Sequence, residues 1–503
     1  MNKLSWPVFF AILNIAIHLI FFNNLEYHRD ELLFFSHGLH PAWGYASVPP
    51  LISWIAWMMQ SVFGFTLFAV KLFPALLSGV FILLSSAIAK ELGGGRYAQV
   101  LAAVTLLVTP FNLRTFHLFQ PVHLDLFFWT LVFYMMLRYI NTLRDRYLIY
   151  TGFVFGLALL NKYLIALLIP ALALPILFSP MRDILKKKSF YLAAGLGLLI
   201  WLPNLIWQIV HHLPVIRHMS ELNEHQLVHV HTADFLKDLL LMPFAGALLT
   251  IPGLIFLLTN KKFRVIGISV LIVIISLILL RGKSYYTLGA FPLMIAAGAT
   301  VYENTLSTVW QRAIPLILII GISIPVFPIG IPVYSQQGLV HYFKNIEDKY
   351  GLTLGRSFED GSIHSLPQDY ADQLGWEELT QVTQKAFEQV PDKSKSFIYA
   401  ENYGQAGAIS IIGKKYGLPE AVSFSDSYRY WAPHRFDPDI EYFIYINDEL
   451  GEDVKNLFDD IKAIGSITNP DAREFGTTVY LCTSPKQSFN ALWSNALKRV
   501  GIE

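Results

Sequence analysis

Long apolar runs, each about as long as a bilayer is thick, alternate with short polar breaks through the first two thirds of the chain. A helix needs about 20 apolar residues to cross the hydrocarbon core. On that measure spans are predicted at residues 4–22, 65–89, 98–109, 124–139, 190–210, 239–259, 265–280, 288–301 and 314–334. The run 148–178 is too long for one crossing and divides at Asn161-Lys162, which brings the total to about eleven. The first run is read as a retained span, because no small-residue cleavage site follows it. Between the first two spans, 31–39 and 51–63 carry apolar and aromatic residues at helical spacing. That spacing suits helices lying in the interface plane. Gly44-Tyr45 and Val48-Pro49-Pro50 make the turn between them.

Beyond residue 335 the pattern changes. Residues 376–390 read as an amphipathic helix ended by Pro391, and 406–416 as a helix stopped by Gly417. Residues 396–400, 442–447 and 478–482 read as strands. No internal repeat or low-complexity tract is present. The predicted fold is a polytopic α-helical membrane domain over 1–335, followed by a soluble α/β domain over 336–503.

Composition agrees with the pattern. The chain is 54% hydrophobic and only 15% charged, with a mean hydropathy of +0.45, against roughly 25% charged residues in soluble domains. The net charge of +1 hides an asymmetry: 22 Lys and Arg stand against 12 Asp and Glu up to Ser335, and 16 against 25 after it. The single cysteine, Cys482, excludes an intramolecular disulfide. Lys and Arg in short loops set orientation. With the N-terminus inside, 11 fall in inner loops and 7 in outer ones. That places 23–63, 211–238, 281–287 and the C-terminal domain on the outer side. The expected location is a bacterial inner (plasma) membrane, with the N-terminus cytoplasmic and the C-terminal domain periplasmic or extracellular.

The outer side gathers the candidate chemistry. Glu26-Tyr27-His28-Arg29-Asp30-Glu31 puts a dense charge cluster at the edge of lipid, where ionisable groups lose hydration unless partnered. The bland reading is a helix end at the water interface. Asp125 falls at the outer end of the fourth span, Lys162 at the outer turn between the fifth and sixth, and Arg281, Lys283, Tyr285 and Tyr286 between the ninth and tenth. A carboxylate can take a proton from a hydroxyl nucleophile. Lys and Arg can stabilise a departing phosphate, or merely snorkel to headgroups. The loop after Val210 holds His211, His212, His218, His225, His229 and His231, with Glu221 and Glu224 among them. The spacing matches no metal template, and the alternative is an interfacial helix that helps close the site. Lys71, inside the second span, is expected to snorkel.

Several stretches resemble, in order, the bacterial branch of the dolichyl-phosphate-mannose–protein mannosyltransferase family. These are GT-C fold, polyprenyl-phosphate-sugar-dependent glycosyltransferases related to the lipid A aminoarabinose transferases. The matching stretches are Arg29-Asp30-Glu31; Gly44-Tyr45 leading to Pro49-Pro50-Leu51; residues 119–125; Asn161-Lys162-Tyr163; Pro203-Asn204-Leu205-Ile206-Trp207-Gln208; and Gly282-Lys283-Ser284-Tyr285-Tyr286. Gly375-Trp376-Glu377-Glu378-Leu379 and Asn402-Tyr403-Gly404-Gln405-Ala406-Gly407-Ala408 continue the match into the polar part. The resemblance implies that Asp30 deprotonates the acceptor hydroxyl for an inverting displacement at the anomeric carbon. It implies that Glu31 orients Asp30 or contacts the acceptor, and that Asp125 is a second acidic residue of the same cavity. Lys162, Arg281 and Lys283 would hold the donor phosphate, with Tyr285 or Tyr286 on phosphate or sugar. Many relatives carry an acidic residue or His just before the Pro-Pro pair. Here Ala46-Ser47-Val48 stands there, which speaks against a metal or acceptor contact at that turn.

The function expected is transfer of a monosaccharide from a polyprenyl-phosphate donor to a glycan, lipid or protein acceptor at the outer face. Membrane lipid is an expected partner and nucleic acid is not. A divalent metal is left open. The alternatives are a flippase or transporter of lipid-linked saccharide, and a receptor or assembly subunit. Transporters tend to keep charge near the midplane and to show inverted repeats, whereas most charge here sits at the outer rim.

Overall fold

The computed structural model describes residues 5–225, 231–358 and 361–501. Where apolar runs are long and unbroken, single helices form: Leu67–Glu91, Lys188–Val210 and Val309–Gly330 are long and apolar enough to cross a membrane. Three further runs fold as bent pairs: Arg96–Val108 with Pro110–His117 at 64°, Tyr163–Leu177 with Pro180–Lys186 at 116°, and Thr232–Leu241 with Phe244–Thr259 at 87°. A proline stands at or beside each break (Pro110, Pro180, Pro243) and cannot donate a helical hydrogen bond. By length and composition the described residues thus offer 3 to 6 crossings, against the larger number expected from hydropathy alone. Shorter apolar helices occupy Trp6–Ile20, Leu51–Phe63, Arg146–Leu159 and Arg264–Leu279. The expected break at Asn161-Lys162 is present: the Arg146–Leu159 helix ends there, and Lys162 precedes the 3-10 turn Tyr163–Leu167.

The chain folds as two compact units, each assembled from separate stretches of sequence. The first comprises Met1–Phe21, Ala42–Ile52 and Lys71–Val333. Its helix Phe291–Thr305 is buried all round from Phe291 to Thr300, the mark of a central helix. Lys188–Val210 buries little more than Ala193, Gly197, Asn204 and Gln208, while Leu192, Leu198, Leu199, Ile206 and Ile209 are exposed. Polar side chains inside and leucines outside invert the soluble pattern, and only a lipid solvent makes that arrangement favourable. In lipid no hydrophobic force draws helices together, so close packing takes over. Glycines permit it: a Cβ on Gly253 would lie 1.9 Å from the Met294 carbonyl oxygen, and one on Gly298 would lie 2.0 Å from that of Leu249. Gly152 and Gly197 make a second such contact, with a Gly152 Cβ 2.1 Å from the Ala193 carbonyl oxygen. Lys71 does not snorkel: it is 2% exposed and lies within electrostatic range of His18 and His117, whose rings are 6.2 Å apart.

The second unit comprises Phe22–Pro41, Ser53–Val70 and Tyr334–Glu503. Its sheet has the order β1-β2-β4-β3, with β1 (Ser396–Ala400) parallel to β2 (Tyr442–Asn447), and β4 (Thr478–Pro485) antiparallel to both β2 and β3 (Phe458–Ser466). The Phe489–Arg499 helix packs Phe489 and Trp493 onto Phe397, Tyr399 and Phe443 to form an aromatic core. β3 is not among the expected strands; it is an edge strand, largely exposed, and its residues do not alternate.

This unit also holds the helix Arg29–Leu39. An interfacial helix would bury one face, but here every residue from Glu31 to Gly38 is buried. Gly407 lies so close that a Cβ there would be 2.7 Å from the Leu32 Cβ. The segment leading into the helix is held by backbone bonds, Glu26 N–H to Gln373 O at 3.0 Å and Arg29 N–H to Asp372 O at 3.1 Å. The Glu26 carboxylate accepts from Glu377 N–H at 2.9 Å, at the start of the Trp376–Glu388 helix, where the helix dipole favours an anion. His28 Nε2 lies 3.7 Å from an Asp369 oxygen and 3.8 Å from one of Asp372. Burial opposes charge on His28, but Asp369, Asp30 and Asp372 outweigh it and hold the imidazole above its ordinary value.

Two outcomes are expected. Gly298→Leu forces a side chain into the Leu249 backbone and should lower stability by about 1–3 kcal/mol or more, read as a fall in Tm in detergent. Gly195→Leu, where a Cβ meets nothing within 4 Å, should leave Tm near wild type. Because the folded-state value of His28 is raised, its contribution is fully present below the ordinary value of 6.5 and is lost as pH rises through the raised one. Hydrogen exchange of 28–39, corrected for intrinsic rates, should therefore speed up between pH 6 and 9 in wild type, and His28→Gln should flatten that trend. A wild-type profile with no trend would remove His28 from the grip on this helix.

Candidate functional site

Each unit carries one group of the residues singled out from sequence. In the second unit, the helix Arg29–Leu39 opens with a capping box: Asp30 N–H donates to His28 Nδ1 at 3.1 Å, and His28 N–H donates to a Glu31 carboxylate oxygen at 2.9 Å. This sets the first turn rigidly, with two acidic residues at the positive end of the helix. Asp30 is half-buried, and one carboxylate oxygen accepts a hydrogen bond from the Tyr403 hydroxyl at 2.9 Å. Glu31 is 0% exposed. Its carboxylate is turned back onto the start of its own helix, where it accepts from His28 N–H.

The first unit holds the other group. The Pro121–Thr142 helix starts on a proline, whose missing N–H costs nothing at a first helical position. Asp125 sits one turn in, buried, and accepts from Trp129 Nε1 at 3.1 Å. Asn161 ties the next connection to this helix start by donating to the Pro121 carbonyl at 3.0 Å. Lys162 follows, its ammonium 4.9 Å from the Tyr286 ring centre and 5.4 Å from that of Tyr285. Lys283 lies 6.0 Å from the Tyr285 ring centre, and the two tyrosine rings meet edge to face at 4.7 Å. Cations over aromatic faces at such distances are attracted to the ring quadrupole. Burial holds the Lys162 ammonium below its ordinary value; Asp125 opposes this and Lys283 adds to it. Two ammonium groups, one carboxylate and two phenols thus lie within electrostatic reach.

The tyrosines are carried on the 3-10 turn Ser284–Ala290, which is fixed from two sides. Gly289 abuts Trp129, where a Cβ would be 2.5 Å from the indole, and Ser284 Oγ donates to Asp238 at 2.9 Å. Arg281 is exposed, at φ 52°, and lines a hollow with Thr232, Phe235, Leu277 and Gly282. The histidine loop folds as Pro214–His225 and Thr232–Leu241, with His211 stacked on Trp207 at 4.0 Å. His229 lies outside the described residues. Among the described residues no three His, Cys, Asp or Glu side chains come together to hold a metal ion.

Sequence reasoning misses Trp129, Asp238 and the part played by Tyr403, and it gives Asn204 and Gln208 no role. Asn204 accepts from the Tyr163 hydroxyl at 2.6 Å and donates to the Trp43 carbonyl at 2.7 Å, while Gly44 sits against the Trp207 ring. The available signal was Asn204 and Gln208 one turn apart on an otherwise apolar helix, a spacing that puts both on one inward face.

Residues 47–207 match the family described as dolichyl-phosphate-mannose-protein mannosyltransferase. No curated protein matches the chain by sequence. Among solved structures, ArnT from Cupriavidus metallidurans bound to undecaprenyl phosphate aligns at a TM-score of 0.62 and 13% identity, over 95% of this chain and 98% of that one. The same protein in the apo state aligns at 0.57 and 14%, over 93% and 97%. The Archaeoglobus fulgidus oligosaccharyltransferase in complex with zinc and sulfate aligns at 0.52 and 11%, over 87% of this chain and 67% of that one. At such identities the likeness is one of fold. Over residues 47–207 the chain is thus similar to the dolichyl-phosphate-mannose-protein mannosyltransferase family, and as a whole it has the fold seen in ArnT.

Proposed function

We propose that this protein is a membrane glycosyltransferase that moves a monosaccharide from a polyprenyl-phosphate donor to a hydroxyl of a glycan, lipid or protein acceptor at the outer face of the membrane. The observation that carries the reading is the group of Lys162, Lys283, Tyr285 and Tyr286 beside Asp125, on a fold that in ArnT accompanies bound undecaprenyl phosphate. The donor is a phosphodiester with one negative charge, and its leaving phosphate has nearly two. Two ammonium groups and two phenols suit the growth of that charge. A phosphate beside Lys162 also offsets the burial that disfavours its ammonium.

Asp30 acts as the base. It takes the acceptor proton as the acceptor oxygen bonds to the anomeric carbon from the face opposite the phosphate. The bond from that carbon to the phosphate oxygen breaks, and its electron pair leaves with the lipid phosphate. Configuration inverts. Glu31 orients Asp30 through the capping box, and Asp125 holds the charge balance of the phosphate group. Arg281, exposed just before the turn that carries the tyrosines, is assigned with Lys162 and Lys283 to the donor phosphate. No step is routed through a metal ion.

A flippase reading would use Lys71, buried with His18 and His117. Turnover separates the two: purified protein in lipid, offered a panel of undecaprenyl-phosphate sugars with an acceptor extract, consumes one donor if it is a transferase. Asp30→Asn keeps size but removes the base, and turnover should fall about 10²–10⁴-fold. Consumption at the wild-type rate by the mutant would end the role of Asp30. Lys283→Ala should raise the donor KM roughly tenfold, the scale of one lost charged contact, with Tm unchanged. Donor kinetics equal to wild type would remove Lys283 from the phosphate group.

A further inference from the structure

The acidic C-terminal part of the chain supplies no residue to the mechanism above, yet two of its stretches close on the Asp30 turn. The first leads with Asp372, Gln373 and Gly375 into the Trp376–Glu388 helix and grips Glu26 and Arg29. The second is the start of the Tyr403–Ile411 helix. Asn402 caps that helix, its side-chain oxygen accepting from Gly404 N–H at 2.9 Å and Gln405 N–H at 3.0 Å. Asn402 and Gln405 in turn donate to Glu474 at 3.1 and 2.8 Å. The first turn carrying Tyr403 is therefore fixed from several sides. Glycines let it approach: a Cβ on Gly404 would lie 2.8 Å from the Trp376 ring and 3.3 Å from the Arg29 Cβ.

The Tyr403 ring lies under the Arg29 guanidinium at 4.5 Å, and its hydroxyl donates to Asp30 at 2.9 Å. The guanidinium needs only the ring face, so the phenol hydrogen has a separate task. A carboxylate has about four lone-pair sites on two oxygens. The phenol bond restrains the rotation of the Asp30 side chain while occupying one of those sites.

We infer that Tyr403 is a positioning residue for Asp30, so that the C-terminal unit is part of the catalytic apparatus rather than an accessory. The inference rests on Asp30 being the base. Tyr403 does not itself touch substrate in this scheme. It holds the carboxylate in the orientation from which proton transfer occurs, and a base held loosely loses rate without losing donor affinity.

The test uses the full-length protein in lipid nanodiscs with the undecaprenyl-phosphate sugar that wild type consumes. Tyr403→Phe keeps the ring under Arg29 and removes only the hydroxyl. Its kcat should fall about tenfold while the donor KM stays within twofold and Tm is unchanged. Gly404→Ala, which presses a Cβ toward the Trp376 ring and displaces the tyrosine turn without altering the phenol, should lower Tm yet, per folded molecule, show the same fall in kcat with donor KM unchanged, and it carries the test should Tyr403→Phe not fold. A merely structural role would lower Tm and leave kcat per folded molecule intact; that result, or a Tyr403→Phe kcat within twofold of wild type while Asp30→Asn is inactive, overturns the inference. Should Asp30→Asn remain active, the base assignment falls instead, and the positioning role falls with it for a different and visible reason.

Discussion

An ionisable group at the edge of lipid has to find partners within the protein, because little water is there to solvate it. Each unit obeys this in its own way. In the first, Asp125 is bonded by the Trp129 indole, and Lys162 lies over two tyrosine faces. In the second, His28 stands between two aspartates, and Arg29 covers a tyrosine ring. The partners are aromatic rings and buried or half-buried carboxylates held in place by the fold, so the same contacts that make the charges tolerable also fix where they point. The catalytic roles proposed for these residues need that fixity, and it comes as a by-product of desolvation.

Close approach is the second theme, and glycine supplies it in both units. Between membrane helices the driving force is packing alone, and Gly253 with Gly298 brings backbones into contact that any side chain would prevent. In the polar unit the same device serves another end. Gly404 and Gly407 let the Tyr403–Ile411 helix settle onto Arg29 and Leu32, which buries the helix that carries Asp30. Buried on all faces, that helix cannot shift without disturbing the sheet domain around it.

The chemistry proposed divides between the units. The base and its support belong to one, and the cationic, tyrosine-lined phosphate group belongs to the other. The two demands differ. A base has to be oriented, which suits a capped helix start with a phenol on the carboxylate. A leaving phosphate has to be met by positive charge as its own charge grows, which suits lysines kept short of full solvation by burial.

The sequence alone determined much of the secondary structure, because length and period of apolar residues are local properties. Helices at 190–210 and 265–280, the break at Asn161-Lys162, and the strands β1 and β2 are found nearly where hydropathy and residue pattern place them. It also singled out Asp30, Lys162, Lys283 and the tyrosine pair, since charges and phenols beside apolar runs stand out without any fold. It did not reveal β3, whose exposed edge position leaves no alternation to read. Nor did it reveal that 31–38 is buried on every side, because a helix's second face is covered only by residues that come from far along the chain. The partners of the site residues were closed to it for the same reason. Arg281 and Lys283 are two positions apart, yet the positive φ at Arg281 leaves it exposed beside Thr232 and Phe235 while Lys283 meets Tyr285. Tyr403 meets Asp30 across most of the chain's length. Residue identity fixes which groups can ionise or donate, but only tertiary packing decides which of them are dry and which are adjacent, and it is those two conditions that turn a charge into a site.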